Sequence, residues 1–297
     1  MKKVKFILMV VIVATLAACG TTSTVPLTGR KHKINVSDAE LLSLSNKEYA
    51  KFMASAKKST NASNTQMVNR VGRKLANAVE TYLRNNGFAN EINNFDWEFN
   101  LVADKQVNAF CMPGGKIVVY EGLLPYTQNE ASLAVVLGHE IAHAVAKHSA
   151  EQITKQQNQQ VGTAILGTVL NSAVGSGVGD IASQIASGAF TFRNIKYSRD
   201  HEFEADHMGL IFAAMAGYDP QNAVSFWQRM AASSQSKATG LQLFLSDHPS
   251  DAKRIERIQG WMPEAMKYYT ASGASTPEPS KVSKPSTKKK KSTTRRR

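Results

Sequence analysis

Cysteine is almost missing from this chain. Cys19 and Cys111 are its only two in 297 residues, so at most one bridge can form and a disulfide framework is excluded. Acids are missing from both ends. None precedes Cys19, where Lys2, Lys3 and Lys5 stand, and none occurs in 281–297, which hold nine Lys and Arg. Removing those three and nine charges from the formal +13 leaves about +1 for the body between them. The basicity belongs to the ends, so a nucleic-acid-binding face on the folded part has no support. Long unbroken apolar runs are missing too. The run from Phe6 to Ala18 falls short of the roughly 20 residues a membrane-spanning helix needs. The Ala/Val-rich stretch before Ala189 is interrupted by Gly162, Gly167, Gly175, Gly177, Gly179 and Asp180. That stretch reads instead as short helices of small residues or a flap over 156–192, and no internal repeat is visible.

What is present begins with "MKKVKFILMVVIVATLAACG". Basic residues, an apolar run and small residues in that order form a secretory signal over 1–18. Its end, Leu16-Ala17-Ala18-Cys19, resembles a bacterial lipobox, which implies lipidation of Cys19 and leaves Cys111 as the one free thiol. Gly20 rather than Asp after that cysteine favours, by the same resemblance, the outer membrane, with the periplasmic side expected and surface exposure open. Residues 19–35 are Thr-, Pro-, Gly- and Lys-rich and read as a tether.

Helical spacing then dominates. Ser37-Asp38-Ala39-Glu40 can cap a first helix, and Val68, Val71, Leu75, Val79 and Leu83 mark a second. The period changes at Phe95, Trp97, Phe99 and Leu101, which alternate as in a half-buried strand. "KIVVY" at 116–120 reads as another strand after the Pro113-Gly114-Gly115 turn. A long helix follows through 124–153, with Thr127 and Glu130 at capping-box spacing. Helices are expected again over 198–217, 219–233 and within 241–258. The reading is an α+β, predominantly helical domain over 36–271, followed by a disordered basic tail over 272–297.

The long helix carries His139-Glu140-x-x-His143. Residues four apart on a helix lie on nearly one face, so two imidazoles can converge on one ion. Glu140 projects beside them, where it can take a proton from water. A histidine six residues after His143 would suggest one type of third ligand, but Ser149 stands there. His148 points away on a continuous helix and reads as structural. The third ligand must come from a later element, and "YSRDHEFEADHMG" at 197–209 offers Glu202, with Asp206 one turn on as acceptor for a ligating imidazole. Glu204 reads as solvated. His201 and His207 are rivals to Glu202, each otherwise solvated or capping.

"HEIAH" followed some sixty residues later by "EFEAD" resembles the gluzincin metallopeptidases of the M48 family. These include HtpX-like enzymes, the CAAX prenyl endopeptidases and periplasmic lipoproteins of the LoiP type. The likeness covers roughly 65–265 and implies a zincin-type domain with a small sheet beside the HExxH helix. One Zn²⁺ per chain is implied, held by His139, His143 and Glu202, with Glu140 as catalytic base. "VNAFCMPGGKIVVYEGLL" at 107–124 matches the family's strand beside the active site, which can pair with an extended substrate. "DHPSDAKRIERI" at 247–258 matches its His-Pro-x-x-x-x-Arg-Ile element and places His248 and Arg254 near the open metal position. His248 either occupies that position at rest, bonds a developing oxyanion, or caps a helix. Arg254 either holds substrate or loop, or pairs with an acid.

The function expected is proteolysis of unfolded or misassembled envelope proteins, with polypeptides as partners and the membrane engaged through the N-terminal lipid. A lipoprotein assembly or chaperone-like factor with a gated zinc site is the alternative. Glu140 argues against pure binding, because a structural zinc needs no base there. The basic tail, with Lys288–Lys291 and Arg295–Arg297, can dock on anionic lipid or cell-wall polymer.

Overall fold

A computed structural model of the chain describes residues 21–170, 191–233, 239–248 and 252–273. The readings of the signal, of Cys19, of 171–190 and of the tail beyond 273 lie outside the described residues.

Two strands, β1 (Thr21–Thr24) and β2 (Lys31–Ile34), form an antiparallel hairpin. The expected tether is therefore structured. Leu27 and Gly29 take left-handed backbone at its turn, and Arg30 anchors the hairpin through ion pairs with Glu151 and Glu204. Helix α1 (Asp38–Ser55) follows, capped by Ser37, whose side chain accepts from the Glu40 amide. Helix α2 (Ala62–Asn85) buries Val68, Val71, Leu75, Val79 and Leu83, the stripe its spacing marked.

The strands β3 (Glu98–Val102), β4 (Ala109–Met112) and β5 (Lys116–Tyr120) form one sheet in the order β3-β5-β4. β3 runs parallel to β5 and β4 antiparallel to it. Alternation along β5 divides the core. Ile117 and Val119 face α2 and the helices beyond, whereas Val118 and Tyr120 face Ile34, Leu41, Leu44 and Tyr49 from the N-terminal segment. The hairpin side of the chain thus covers one face of the sheet.

The rest is helical: α3 (Leu124–Thr127), α4 (Glu130–Val145), α5 (His148–Leu170), α6 (Arg199–Met215), α7 (Asn222–Ser233), α8 (Thr239–Asp247) and α9 (Ala252–Ala271). Among the described residues no helix is long and apolar enough to cross a membrane.

Three expectations change here. The helix expected through 124–153 is divided. Gln128, left-handed at φ 65°, ends α3, and the cap of α4 is Asn129, bonded to the Ser132 amide, not a Thr127–Glu130 box. Lys147, left-handed at φ 55°, ends α4, and its ammonium is held by Asp38 and Glu91. In place of short helices, residues up to 170 continue as α5.

α4 and α6 cross where Gly138 meets Gly209. A Cβ on Gly138 would lie 2.6 Å from the Gly209 carbonyl oxygen, and one on Gly209 would lie 2.6 Å from the His139 amide nitrogen. Only glycine permits that approach. Gly209→Ala is expected to lower unfolding free energy by about 2 kcal/mol despite its better helix propensity, because two backbones must separate. Urea denaturation checks this; an unchanged midpoint would show that the crossing tolerates a methyl group.

Candidate metal centre

The crossing sets four groups face to face. One ligand atom each from His139, His143, Glu202 and His248 lies within 4.8 Å of the others, and all four side chains are buried. α4 supplies the two histidines from one face, α6 supplies Glu202, and His248 follows the end of α8. The Nε2 atoms of His139 and His143 are 3.0 Å apart. Glu202 Oε2 lies 3.4 Å from His139 Nε2, and its Oε1 lies 3.3 Å from His143 Nε2. His248 Nδ1 is 3.2 Å from both His139 Nε2 and Glu202 Oε2, and its Nε2 is 3.6 Å from Glu140 Oε1.

The outer contacts orient these rings. His139 Nδ1 donates to Asp206 Oδ1 at 2.9 Å, which turns Nε2 into the cluster. Arg254, 2% exposed, donates to the same oxygen at 2.6 Å and stacks over Trp227 at 3.5 Å. Arg254 thus pairs with an acid, one of the alternatives its sequence context left open. Tyr197 stacks on the His143 ring at 4.0 Å, and its hydroxyl meets that of Ser149.

This donor set fits a cation. Glu140 Oε1 and Glu202 Oε1 are buried and take no hydrogen bond. Unpaired buried carboxylate oxygens carry a large desolvation cost unless a positive charge offsets it. Burial pushes the Glu140 carboxyl up from its usual range against the opposing effect of His248 and His139. Burial would also depress His139, yet Glu202 and Asp206 outweigh it and raise the ring to about 9. For His143 burial prevails, and its ring falls well below the usual imidazole range. Glu202 is held well below its usual range, because His248 and His139 outweigh its burial.

Other expected positions differ. Glu204, read as solvated, is nearly buried and bonds Thr28, Arg30 and His148. His201, read as solvated or capping, is buried, stacks on His148 at 4.4 Å and pairs with Glu151. It therefore does not reach the cluster as a rival ligand. His207 pairs with Glu264 and stacks on Trp261, also away from the cluster. Two contributors escaped the sequence reading: Tyr197 and Arg30. Tyr197 opens the quoted 197–209 segment and was within reach of it. Arg30 carried no local signal, since both of its acids lie more than a hundred residues away.

An HExxH helix, a glutamate from a crossing helix and a small sheet at their side define a metallopeptidase domain of the zincin type. Residues 63–262 match peptidase family M48, and the chain belongs to that family. Zinc is the family's cofactor, and His139, His143 and Glu202 form a site able to hold it. The mitochondrial metalloendopeptidase OMA1 of Schizosaccharomyces pombe is 38% identical over 57% of this chain and 48% of its own length. The Homo sapiens metalloendopeptidase OMA1 is 29% identical over 89% of this chain and 51% of its own. The beta-barrel assembly-enhancing protease of Yersinia pestis is 27% identical over 70% and 41%. The chain spans about half the length of the curated relatives it matches, or less.

Asp206→Ala would leave the buried Arg254 without its 2.6 Å partner. The expected loss in the zinc-free protein is about 3 kcal/mol, read by denaturant unfolding in chelator. Unchanged stability would show that Glu202, 3.7 Å from Arg254 Nη1, suffices as its counter-charge.

Proposed function

We propose that this protein is a zinc-dependent endopeptidase that cleaves unfolded or misassembled proteins of the bacterial envelope, tethered to the outer membrane on its periplasmic side by lipid on Cys19. The observation that carries the catalytic reading is the Glu140 carboxylate, buried beside three convergent metal-binding groups with no hydrogen bond to Oε1. A site that only bound zinc would have no use for it.

His139, His143 and Glu202 hold the ion in this reading. Bound there, zinc supplies Lewis acidity, which makes a water more acidic and polarises a carbonyl. Glu140 takes the proton of the attacking water and delivers it to the leaving amine nitrogen, so the peptide C–N bond breaks as the C–O bond forms. β4 ends the sheet on that side among the described residues, so an extended peptide can add to its edge above the site.

The envelope setting is supported by the lipobox-like Leu16–Cys19 and by the printed name of the Yersinia pestis relative, a beta-barrel assembly-enhancing protease. The basic tail would add an electrostatic contact with anionic lipid or cell-wall polymer. The position of His248 favours a second reading, in which the same site is gated and the protein acts chiefly as an assembly factor. With Nδ1 3.2 Å from both His139 and Glu202, this ring stands where substrate would otherwise approach.

Zinc content and casein cleavage of the purified protein test the first reading. Glu140→Gln is expected to keep its zinc and to lose about 10²- to 10⁴-fold in turnover. Cleavage by neither protein, with zinc bound in both, would favour the gated reading, and a zinc-free wild type would end both. Anchoring has its own test: labelled palmitate should enter the wild type and not Cys19→Ser, which should also leave the membrane fraction.

A further inference from the structure

The two ligand histidines are backed differently. Behind His139 stand one carboxylate and one arginine, Asp206 and Arg254. Behind His143 the series is longer. Its Nδ1 lies 2.8 Å from His148 Nδ1, and His148 Nε2 lies 2.9 Å from Glu204 Oε2. Arg30 Nε donates to that same Oε2 at 2.7 Å, and Thr28 Oγ1 donates to Glu204 Oε1 at 2.6 Å. Both series end on an arginine. The second reaches it only through the N-terminal hairpin, ahead of residue 63, where the family match begins.

Proton positions in the longer series follow from its outer end. Arg30 offers only donors and an ionised Glu204 only acceptors, so His148 must present Nε2–H to the carboxylate. A neutral imidazole has one ring proton, so His148 Nδ1 presents a lone pair. Two ring nitrogens 2.8 Å apart need a hydrogen between them, and His143 Nδ1 therefore supplies it. That uses the one proton of a neutral His143 on its outer side. Its Nε2 lone pair is left facing His139 Nε2 and Glu202 Oε1, inside the cluster.

We propose that His148 and Glu204, clamped by Thr28 and Arg30 of the hairpin, are positioning residues that fix the tautomer and ring orientation of His143 as a metal ligand. The inference rests on His143 being a ligand, as the proposed function has it. His148 is fully buried, and both of its nitrogens are satisfied within this series. It can fold back onto His143 only because Lys147 breaks the helix. On an unbroken helix, five residues would turn the two rings well apart. Outer partners of this kind raise ligand basicity and hold the ring against rotation, and their loss typically costs about 10- to 100-fold in metal affinity. A buried network that served only the fold would instead affect stability and leave the metal untouched.

The test uses the full chain with three readouts: zinc affinity by competition with a chromogenic chelator, the visible spectrum of the cobalt-substituted protein, and unfolding of the zinc-free protein. His148→Ala should weaken zinc binding by about 10- to 100-fold and shift the cobalt spectrum. His148→Asn, whose Oδ1 can accept from His143 Nδ1–H, should recover most of that loss, and failure to do so overturns the hydrogen-bond account. Unchanged affinity and spectrum in His148→Ala, with only zinc-free stability reduced, overturns the proposal. Should His148→Ala not fold, Arg30→Ala on the half-exposed hairpin decides, because wild-type affinity and spectrum there remove the clamp from the series. His143→Ala separates this failure from that of the underlying reading. It should abolish tight zinc binding whatever His148 does, and wild-type affinity in it would overturn the ligand assignment itself.

Discussion

Everything at the centre of this protein depends on the backbone contact between Gly138 and Gly209. An ordinary pair of packed helices keeps its axes 8–10 Å apart, with side chains filling the space between. Here neither helix has a Cβ at the crossing, and either one added would fall 2.6 Å from backbone of the other. The next residue on α4 is His139, and Asp206 and Glu202 lie about one and two turns before Gly209 on α6. Close approach therefore turns two helix faces into one coordination sphere. Wider helices would leave His139 and Asp206 unable to meet at 2.9 Å, and the carboxylate of Glu202 would not reach both imidazoles.

The crossing also concentrates buried charge. Glu140, Glu202 and Asp206 are each about 5% exposed, with Arg254 as the buried cation among them. Carboxylates rarely survive such burial without partners, and removing a partner from a buried pair costs more than the pair contributes. The protein responds asymmetrically. Each of the three keeps one oxygen without a hydrogen bond, but Asp206 is engaged through its other oxygen by Arg254 and His139, whereas Glu202 converges with the imidazoles. The fold has thus left its electrostatic deficit where a divalent ion would sit.

Much of this was legible in the sequence because it is local. HExxH and the Glu202–Asp206 pair are i, i+4 relations, readable once each segment is recognised as a helix. The apolar stripe of α2 and the strand 116–120 are periodic in the same local sense. What escaped depends on pairs distant in the chain. Lys147 adopts a left-handed backbone because Asp38 and Glu91 hold its ammonium, a circumstance no window around 147 contains. The capping box failed for the related reason that Gln128 intervenes with positive φ, so that Asn129 became the cap. The hairpin at 21–34 is weakly patterned, and Arg30, which fastens it, finds both of its acids on α5 and α6. Glu204 read as solvated because its helical face alone says so; the hairpin and His148 of α5 cover it.

The same distinction bears on how such a site would open under the proposed reading. His139 and His143 are supported from behind by series of contacts that end on arginines in separate parts of the fold. His248 has no comparable backing among the described residues. Its side-chain polar contacts are with His139, Glu202 and Glu140, all inside the cluster, and its ring rests on Phe244 at 4.9 Å. Exchanging it for a substrate carbonyl would break contacts made only to the centre, whereas displacing either α4 histidine would strand a buried carboxylate or a second imidazole. Of the three imidazoles, His248 is the one whose polar contacts, among the described residues, all lie inside the cluster. A peptide arriving along β4 would therefore compete with His248 alone, and not with the helices that hold the site together.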